Sequence, residues 1–286
     1  MKTAVITTGG LGTRLLTYTK TNPKTMLPLY EKSHDSIKDP PLRPLLEIIF
    51  ENLYDLGFRR FCIIVGKKTR KSIIEHMTPD KKYLSLLNER NVTSDRRFIK
   101  TLNRLYAKLN NCQIDWISQS TPMGFGHALL SAQKFVNNDS FLLHTGDAYF
   151  PDYQFMRSSL KTFQKNSDSS GLLFLQKRKN LQGYGIAEIT KQNKKLIVTN
   201  VQEKPKKPLS NFAILPIYFF KPNIFTALKN TSKGYNCELQ VTDAVKTLLN
   251  WDKTILAEIY QQKYWFDIGT PTNYFLALKH SFQKSI

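Results

Sequence analysis

Residues 1–28, MKTAVITTGGLGTRLLTYTKTNPKTMLP, decide how this chain folds. The apolar run 4–6 predicts a strand that leads directly into a glycine-rich turn. The glycines of that turn are Gly9, Gly10 and Gly12, and Thr13 follows them. Glycines in this place let the backbone approach a bulky ligand and direct its N–H groups toward it. Because Arg14 and Lys24 add a phosphate-binding guanidinium and an ammonium, we expect a polyphosphate site here.

Two common phosphate-binding motifs do not fit this stretch. No Gly-Lys-Ser/Thr sequence closes the loop, which disfavours a P-loop nucleoside triphosphatase. Arg14 lies where a dinucleotide fingerprint requires a third small residue, which disfavours a Rossmann dinucleotide site. For the glycines taken alone, a simple tight turn between strand and helix is the alternative.

The composition indicates a globular protein. With 286 residues, 41% of them hydrophobic, the chain can bury one large core. No stretch approaches the ~20 apolar residues of a membrane span, and the N-terminus has no secretory signal pattern, so we expect a cytoplasmic protein without a membrane span. The scattered Cys62, Cys112 and Cys237 form no C-x-x-C pair, and we expect neither disulfides nor zinc.

The charge balance favours anionic partners. There are 42 Lys and Arg residues against 22 Asp and Glu residues, a formal charge of +20. This surplus is compatible with nucleic acid or phosphorylated substrates. The basic clusters are short and are not interleaved with aromatic residues as a base-stacking surface would be, so solvated basic faces are favoured over a nucleic-acid groove.

Strands alternate with helices along the first half of the chain. The predicted elements there are helix 45–56, strand 61–66, helix 69–77, a helical hairpin over 81–109 interrupted at 91–95, strand 114–117, helix 126–136 and strand 140–147. Residues 32–41 resemble a polar insertion. This alternation predicts a doubly wound, mainly parallel sheet that binds ligands at the carboxyl ends of its strands.

The pattern changes beyond residue 150. The predicted elements are helix 153–163, strands 172–176, 184–189, 196–200 and 212–220, helix 240–251, a strand pair formed by 254–259 and 264–267, and a last helix from 272. No clear linker separates the two parts. We expect one domain over 1–286, with a nucleotide-binding half over about 1–150 and an elaborated half over about 151–286.

Two aspartates follow apolar strands. Asp147 ends LLHTGD, and Asp267 lies in WFDIGT. Such carboxylates can hold Mg²⁺, which takes one or two protein carboxylates together with phosphate oxygens and water. The alternative for an isolated Gly-Asp is an aspartate that caps the following turn. Only the fold can bring these two residues together.

Taken as a set, the motifs resemble those of the sugar-1-phosphate nucleotidyltransferases, in particular the bacterial-type UTP–glucose-1-phosphate uridylyltransferases. The matching segments are GGLGTRL at 9–15, TNPKTMLP at 21–28, QSTPMGFGHA at 119–128, GD at 146–147, YGIA at 184–187, EKP at 203–205, SNFAI at 210–214 with Tyr218, ELQVTDA at 238–244 and DIGT at 267–270. They occur in the family's order from residue 3 to about residue 277. Pro216 stands in place of a usual glycine, which leaves the exact sugar open.

The resemblance implies a role for each motif. The nucleotide would lie against Gly9, Gly10, Gly12, Thr13, Gln119 and Gly124, with Gln119 contacting the base. The sugar phosphate would lie against Gly185, Glu203, Lys204, Tyr218 and Thr242. Arg14, Lys24 and Asp147 would be catalytic, and Asp147 and Asp267 would bind Mg²⁺.

The implied fold and reaction follow from the same resemblance. We expect a Rossmann-like nucleotidyltransferase fold without the C-terminal β-helix of longer relatives, and a homo-oligomer (dimer or tetramer). The expected reaction converts UTP and glucose 1-phosphate to UDP-glucose and pyrophosphate. The alternatives are a thymidylyl- or other nucleotidyltransferase acting on a different sugar 1-phosphate, a catalytically silent regulatory homologue, and a basic nucleic-acid-binding protein.

Overall fold

The protein alternates strands and helices in its first half, whereas between residues 169 and 220 four strands follow one another without a helix between them. This computed structural model describes residues 1–10, 12–31, 40–89, 96–119, 121 and 123–286, with only the backbone of 96–98. Within them the strands are β1 (Thr3–Thr7), β2 (Pro28–Tyr30), β3 (Leu42–Pro44), β4 (Arg60–Gly66), β5 (Gln113–Gln119), β6 (Phe141–Thr145), β7 (Ala148–Tyr149), β8 (Ser169–Lys177), β9 (Ile186–Gln192), β10 (Lys195–Gln202), β11 (Phe212–Phe220), β12 (Thr254–Ile259) and β13 (Phe266–Asp267). The helices are α1 (Leu16–Thr19), α2 (Leu45–Asp55), α3 (Arg70–His76), α4 (Lys81–Glu89), α5 (Arg96–Asn110), α6 (Phe125–Ser131), α7 (Gln133–Val136), α8 (Phe155–Lys165), α9 (Asn223–Lys229), α10 (Val241–Asn250) and α11 (Pro271–Ser285).

One large mixed sheet forms the centre of the molecule. Its strand order is β5-β4-β1-β6-β11-β8-β12-β10-β9. The first four strands in this order are parallel, whereas β11 runs antiparallel to both β6 and β8. The prediction of a doubly wound, mainly parallel (mixed) sheet is confirmed. The strands β1, β4, β5 and β6 form its parallel half, and β12 also runs parallel to β8.

Helices cover both faces of this sheet. Along β1, Ala4 and Ile6 belong to one hydrophobic core, while Val5, which points the other way, belongs to a second. The first core includes residues of α2, α5, α8 and α11, and the second includes residues of α6, α7, α9 and α10. Strands buried on both faces therefore read as continuous apolar runs, which is why the sequence predicted them well.

The register of the parallel strands brings several loops to one edge. Thr7 pairs with Ile64 on one side and with Thr145 on the other, and Gly66 pairs with Gln119. The glycine turn after β1, the end of β5 and the Gly146-Asp147 segment after β6 consequently lie together at the carboxyl ends of the strands. A parallel α/β sheet binds ligands at this edge.

A two-stranded pairing remote in sequence adds the last segment. β13 pairs antiparallel with β7, so Asp267 lies opposite Ala148, and the Ile268 N–H donates to the Asp147 carbonyl at 2.8 Å. The two predicted C-terminal strands thus do not pair with each other, because β12 lies inside the large sheet between β8 and β10. The predicted helix 126–136 is wrong as one element, since it divides into α6 and α7 at Ala132.

The chain around Lys24 is held by the C-terminal helix. Lys24 begins a short 3-10 turn that leads into β2, and β2 pairs with β3. The Tyr274 hydroxyl of α11 donates to the Pro28 carbonyl at 3.0 Å, and the Tyr30 N–H donates to Ser281 Oγ at 3.1 Å. Residues 32–39 of the predicted insertion and the interruption at 91–95 lie outside the described residues. Among the described helices, none is both long and apolar enough to span a bilayer.

Candidate active site

The glycine turn after β1 is fixed by hydrogen bonds on both sides. The Thr8 N–H donates to the Ile64 carbonyl at 2.7 Å, and Thr19 Oγ1 donates to the Gly12 carbonyl at 2.9 Å. Gly12 has φ 62°, a left-handed conformation that favours glycine. A Cβ atom on Gly10 would lie 3.6 Å from Lys24 Nζ, so this ammonium faces the turn. The turn thus offers backbone groups and a cation to one space.

The opposite wall of that space comes from the end of β5 and the start of α6. Gln119 is buried, and its Oε1 would lie 2.8 Å from a Cβ on Gly9. Its Nε2 lies 3.2 Å from His127 Nδ1, which orients the amide. Gly124 has φ 103°, and a Cβ there would lie 2.6 Å from the Leu239 carbonyl oxygen. A side chain at 124 would therefore displace the backbone of the wall.

These elements enclose a cavity of about 440 Å³, which we term the glycine-loop cavity. The predicted site residues that line it are Gly9, Gly10, Gly12, Thr13, Lys24, Gln119, Gly124 and Asp147. All six residues predicted for the nucleotide are among them. The grouping of residues from the segments after β1, β5 and β6 follows from the parallel register described above.

A second cavity, of about 220 Å³, lies beside the first and is termed the Glu203 cavity. The predicted residues that line it are Asp147, Gly185, Glu203, Lys204, Tyr218, Thr242 and Asp267. A Cβ on Gly185 would lie 3.0 Å from Thr242 Oγ1 and 3.3 Å from Glu203 Oε2, so a side chain at this position would fill the cavity. Lys204 Nζ lies 3.3 Å from Glu203 Oε1, and burial raises the pKa of Tyr218.

The two cavities meet at Asp147. Both are lined by Phe125, Thr145 and Asp147, and the Phe125 ring packs against Tyr218 at 6.1 Å between centroids. A ligand in one cavity can therefore approach a ligand in the other directly beside this carboxylate.

Opposite charges concentrate at this junction. Lys24 forms an ion pair with Asp147, and Arg14 Nη2 lies 3.8 Å from Asp267 Oδ2. Burial alone would raise the pKa of Asp147, but the charge of Lys24 and the hydrogen bonds that the carboxylate accepts together hold that pKa below its ordinary value. Burial and the neighbouring Asp147 carboxylate raise the pKa of Asp267. Arg14 lines neither cavity, and its side chain is 63% exposed.

Comparison with known proteins identifies this arrangement. A family model described as nucleotidyl transferase matches residues 3–284, nearly the whole chain. The chain belongs to the nucleotidyl transferase family. The predicted resemblance is thereby confirmed.

Several curated proteins are similar to the transferase. A UTP–glucose-1-phosphate uridylyltransferase of Mycoplasma pneumoniae is 30% identical over 283 residues, which cover 97% of this chain and 91% of that protein. The corresponding protein of Bacillus subtilis is 28% identical over 273 residues, 94% of this chain and 87% of that one. A low-salt glycan biosynthesis nucleotidyltransferase of Haloferax volcanii is 27% identical over 93% of this chain, and the chain spans only 62% of its length.

Solved structures share the fold. A crystal structure of UDP-glucose pyrophosphorylase complexed with UDP-glucose superimposes with a TM-score of 0.81 at 22% identity, covering 99% of both chains. A UTP-bound UGPase from Acinetobacter baumannii gives a TM-score of 0.80 at 22% identity, covering 98% of this chain and 93% of that one. These likenesses confirm the predicted nucleotidyltransferase fold.

The transferase has a donor set that suits Mg²⁺. Asp147 and Asp267 supply carboxylate oxygens at one junction, and their mutual repulsion, which contributes to the raised pKa of Asp267, is of the kind a divalent cation relieves. In the described residues no group of three or more His, Cys, Asp or Glu side chains could hold a metal ion by itself. Magnesium does not require such a group, because phosphate oxygens and water complete its shell.

Sequence reasoning missed some residues that line the cavities. Phe125 and Thr145 contact both cavities, and Trp265 lines the Glu203 cavity. Thr145 directly precedes the Gly-Asp pair at the end of β6, and this position in the sequence could have identified it as a site residue. A single phenylalanine or tryptophan in an apolar run carries no comparable signal, since core packing uses the same residues.

Proposed function

We propose that the enzyme transfers the uridylyl group of UTP to glucose 1-phosphate, which yields UDP-glucose and pyrophosphate. The observation that carries this proposal is the pair of adjoining cavities that share Asp147, with the glycine turn on one side and Glu203 on the other. Transfer between two phosphorylated substrates requires such neighbouring sites. The family and the named uridylyltransferase relatives support the same reaction.

On the nucleotide side, the proposal assigns UTP to the glycine-loop cavity. The N–H groups of the turn at Gly9 and Gly10 bind phosphate oxygens, and Gln119 contacts the base through an amide that can both donate and accept. Arg14 is exposed at the rim beside Asp267, where it can bind the β- and γ-phosphates and the departing pyrophosphate. Its exposed side chain suits a group that must release a product.

On the sugar side, the proposal assigns glucose 1-phosphate to the Glu203 cavity. Glu203 accepts hydrogen bonds from sugar hydroxyls, and Lys204 binds the sugar phosphate. Lys204 Nζ lies 4.9 Å from the centroid of the Tyr235 ring, a cation–π contact that holds the ammonium near the cavity. Gly185 leaves the space that the sugar ring needs between Thr242 and Glu203.

The proposed chemistry is a direct in-line displacement. A phosphate oxygen of glucose 1-phosphate attacks the α-phosphorus of UTP, and the bond to the oxygen that bridges the α- and β-phosphorus atoms breaks as pyrophosphate leaves. Lys24, which pairs with Asp147 between the cavities, neutralises charge on the α-phosphate and on the attacking phosphate. Mg²⁺ bound by Asp147 and Asp267 would supply further charge neutralisation and orient both phosphates. Positioning and electrostatics account for catalysis without a covalent intermediate.

A substrate panel tests the proposal. Several nucleoside triphosphates are combined with several sugar 1-phosphates in the presence of Mg²⁺, and pyrophosphate release is measured. We expect UTP with glucose 1-phosphate to give the highest kcat/KM. A preference for dTTP or another sugar would support the alternative nucleotidyltransferase reaction, which is kept because the predicted base contact depends on one amide. Release from no combination would contradict the proposal.

Four broader properties belong to the same proposal. We propose one domain, since strands from both halves form a single sheet. We propose that the protein is located in the cytoplasm, since Cys62, Cys112 and Cys237 are free thiols.

We propose that the protein forms a homo-oligomer, which is supported by the exposed Phe275 and Leu276 on α11 and can be tested by light scattering. We propose that the anionic partners of this basic protein are its substrates and not nucleic acid. Salt-dependent retention of the protein on DNA would contradict this proposal.

A further inference from the structure

A cluster of polar and aromatic side chains lies behind the Glu203 cavity. At its centre is Gln176, which is buried and whose Oε1 accepts hydrogen bonds from Trp265 Nε1 at 3.0 Å and from Arg178 Nε at 2.9 Å. Its Nε2 donates to the Gln262 carbonyl at 2.9 Å. Both the oxygen and the nitrogen of the Gln176 amide form hydrogen bonds, which fixes the orientation of the amide.

Arg178 connects this centre to a second wall of the cavity. Its Nη1 donates to the Tyr184 hydroxyl at 2.8 Å. The guanidinium carbon lies 4.9 Å from the centroid of the Tyr184 ring and 5.1 Å from that of the Trp265 ring, within cation–π distance of both. Arg178 therefore holds Tyr184 by a hydrogen bond and a cation–π contact, and Trp265 by a cation–π contact and through their shared acceptor, Gln176.

The rings that Arg178 holds are themselves walls of the cavity. Tyr184 and Trp265 both line the Glu203 cavity, whereas Arg178 does not. Tyr184 directly precedes Gly185, and Trp265 lies two residues before Asp267. Trp265 is 6% exposed and stacks on Phe150 at 5.8 Å, so it has little freedom to move alone. Movement of Arg178 would change the shape of the cavity from two sides.

We propose that Arg178 is a positioning residue that holds Tyr184 and Trp265 in place and thereby determines which hexose 1-phosphate the enzyme accepts. This inference rests on the proposed function, because it concerns the sugar side of that reaction. A small cavity with rigid walls discriminates between sugars that differ in the direction of one hydroxyl. A loosened wall admits the wrong sugar and holds the right one less well.

The test compares wild type with Arg178→Met, which removes the donors and the charge but keeps much of the length. We expect the KM for glucose 1-phosphate to rise on the order of tenfold, because a wall that lacks these hydrogen bonds would occupy its binding position about a tenth of the time. The KM for UTP should stay within about twofold, and the kcat/KM preference for glucose 1-phosphate over galactose 1-phosphate should fall. Arg178→Lys, which keeps a cation but not the guanidinium fork, should recover part of the loss.

Arg59→Met is the matched control. Arg59 stacks on Tyr54 at 3.7 Å and donates to two backbone carbonyls, but neither Arg59 nor Tyr54 lines either cavity. Its loss removes a similar contact and should change neither KM. If Arg178→Met leaves the KM for glucose 1-phosphate unchanged, as Arg59→Met should, or raises both KM values alike, the role of Arg178 is refuted.

Calorimetric binding of glucose 1-phosphate and galactose 1-phosphate separates this inference from the proposed function. A wild type that binds glucose 1-phosphate without releasing pyrophosphate would contradict the proposed function alone. Weaker and less selective binding by Arg178→Met would still support the positioning role. Equal binding by both proteins, or no binding by wild type, would overturn that role.

Discussion

His144 in β6 gives the protein a specific dependence of stability on pH. Its ring is fully buried, with Nδ1 2.6 Å from the Thr145 carbonyl oxygen and Nε2 2.9 Å from the Tyr153 hydroxyl. The neutral tautomer with a proton on Nδ1 satisfies both contacts, since the phenol then donates to Nε2. Burial lowers the pKa of His144 from 6.5 to about 4, so the folded state resists protonation.

The sign and size of the effect follow from proton linkage. Between pH 6.5 and about pH 4 the unfolded chain binds a proton at this position that the folded protein does not bind, so the free energy of unfolding falls as the pH falls. A difference of about 2.5 pH units, at ~1.36 kcal/mol each, corresponds to about 3 kcal/mol. Above pH 6.5 this contribution is fully present.

His144→Phe tests this reasoning by urea unfolding at a series of pH values from about pH 8 to about pH 4.5. At the upper end the variant should be less stable by about 1–3 kcal/mol, because the Tyr153 hydroxyl and the Thr145 carbonyl lose their partner. Toward the lower end that deficit should shrink by about 2–3 kcal/mol, because the variant has no imidazole to protonate. Tyr153→Phe, which keeps the buried imidazole, should retain the wild-type slope. If His144→Phe loses stability with falling pH as steeply as wild type, His144 is not the source of this pH dependence.

Three predictions concern the substrate-binding residues. Arg14→Ala should lower kcat on the order of 10³-fold while UTP binding remains measurable, and near-normal turnover would remove Arg14 from catalysis. Lys204→Ala should mainly raise the KM for glucose 1-phosphate, with the KM for UTP as the internal control, and an unchanged glucose 1-phosphate KM would contradict its assignment. His127→Leu frees the Gln119 amide to rotate and should reduce the preference for UTP over CTP about tenfold, whereas an equal loss of kcat/KM with both nucleotides would indicate a purely structural role.

The parallel half of the sheet and its ligand-binding edge could be predicted because the signals are local. The strands of the sheet centre are apolar runs bounded by turns, and β11 (Phe212–Phe220) begins and ends at the predicted residues. Gly12 has the left-handed conformation typical of glycine in a turn, and Asp147 lies at the carboxyl end of β6 as its motif indicated. The resemblance supplied roles for these residues that periodicity alone could not.

Contacts distant in sequence could not be predicted from local patterns. The two-residue strand β13 pairs with β7 across about 120 positions, and neither is long enough to produce a periodic signal. The predicted helix 126–136 divides at Ala132, where no glycine or proline in the sequence indicates a break. The contacts among Gln176, Arg178 and Trp265 depend on the same long-range arrangement, because each residue alone is compatible with a solvated or a core position.

In the proposed function, Asp147 and Asp267 bind one divalent ion between the two substrates. The most direct test is a double-mutant cycle on kcat for pyrophosphate release from UTP and glucose 1-phosphate with saturating Mg²⁺. Asp147→Asn and Asp267→Asn should each lower kcat on the order of 10³-fold, and the double variant should lose far less than the product of the two losses, since the first substitution already disables the shared ion. Losses that multiply in full, or an Asp267→Asn variant with near wild-type kcat, would show that the two aspartates do not share an ion.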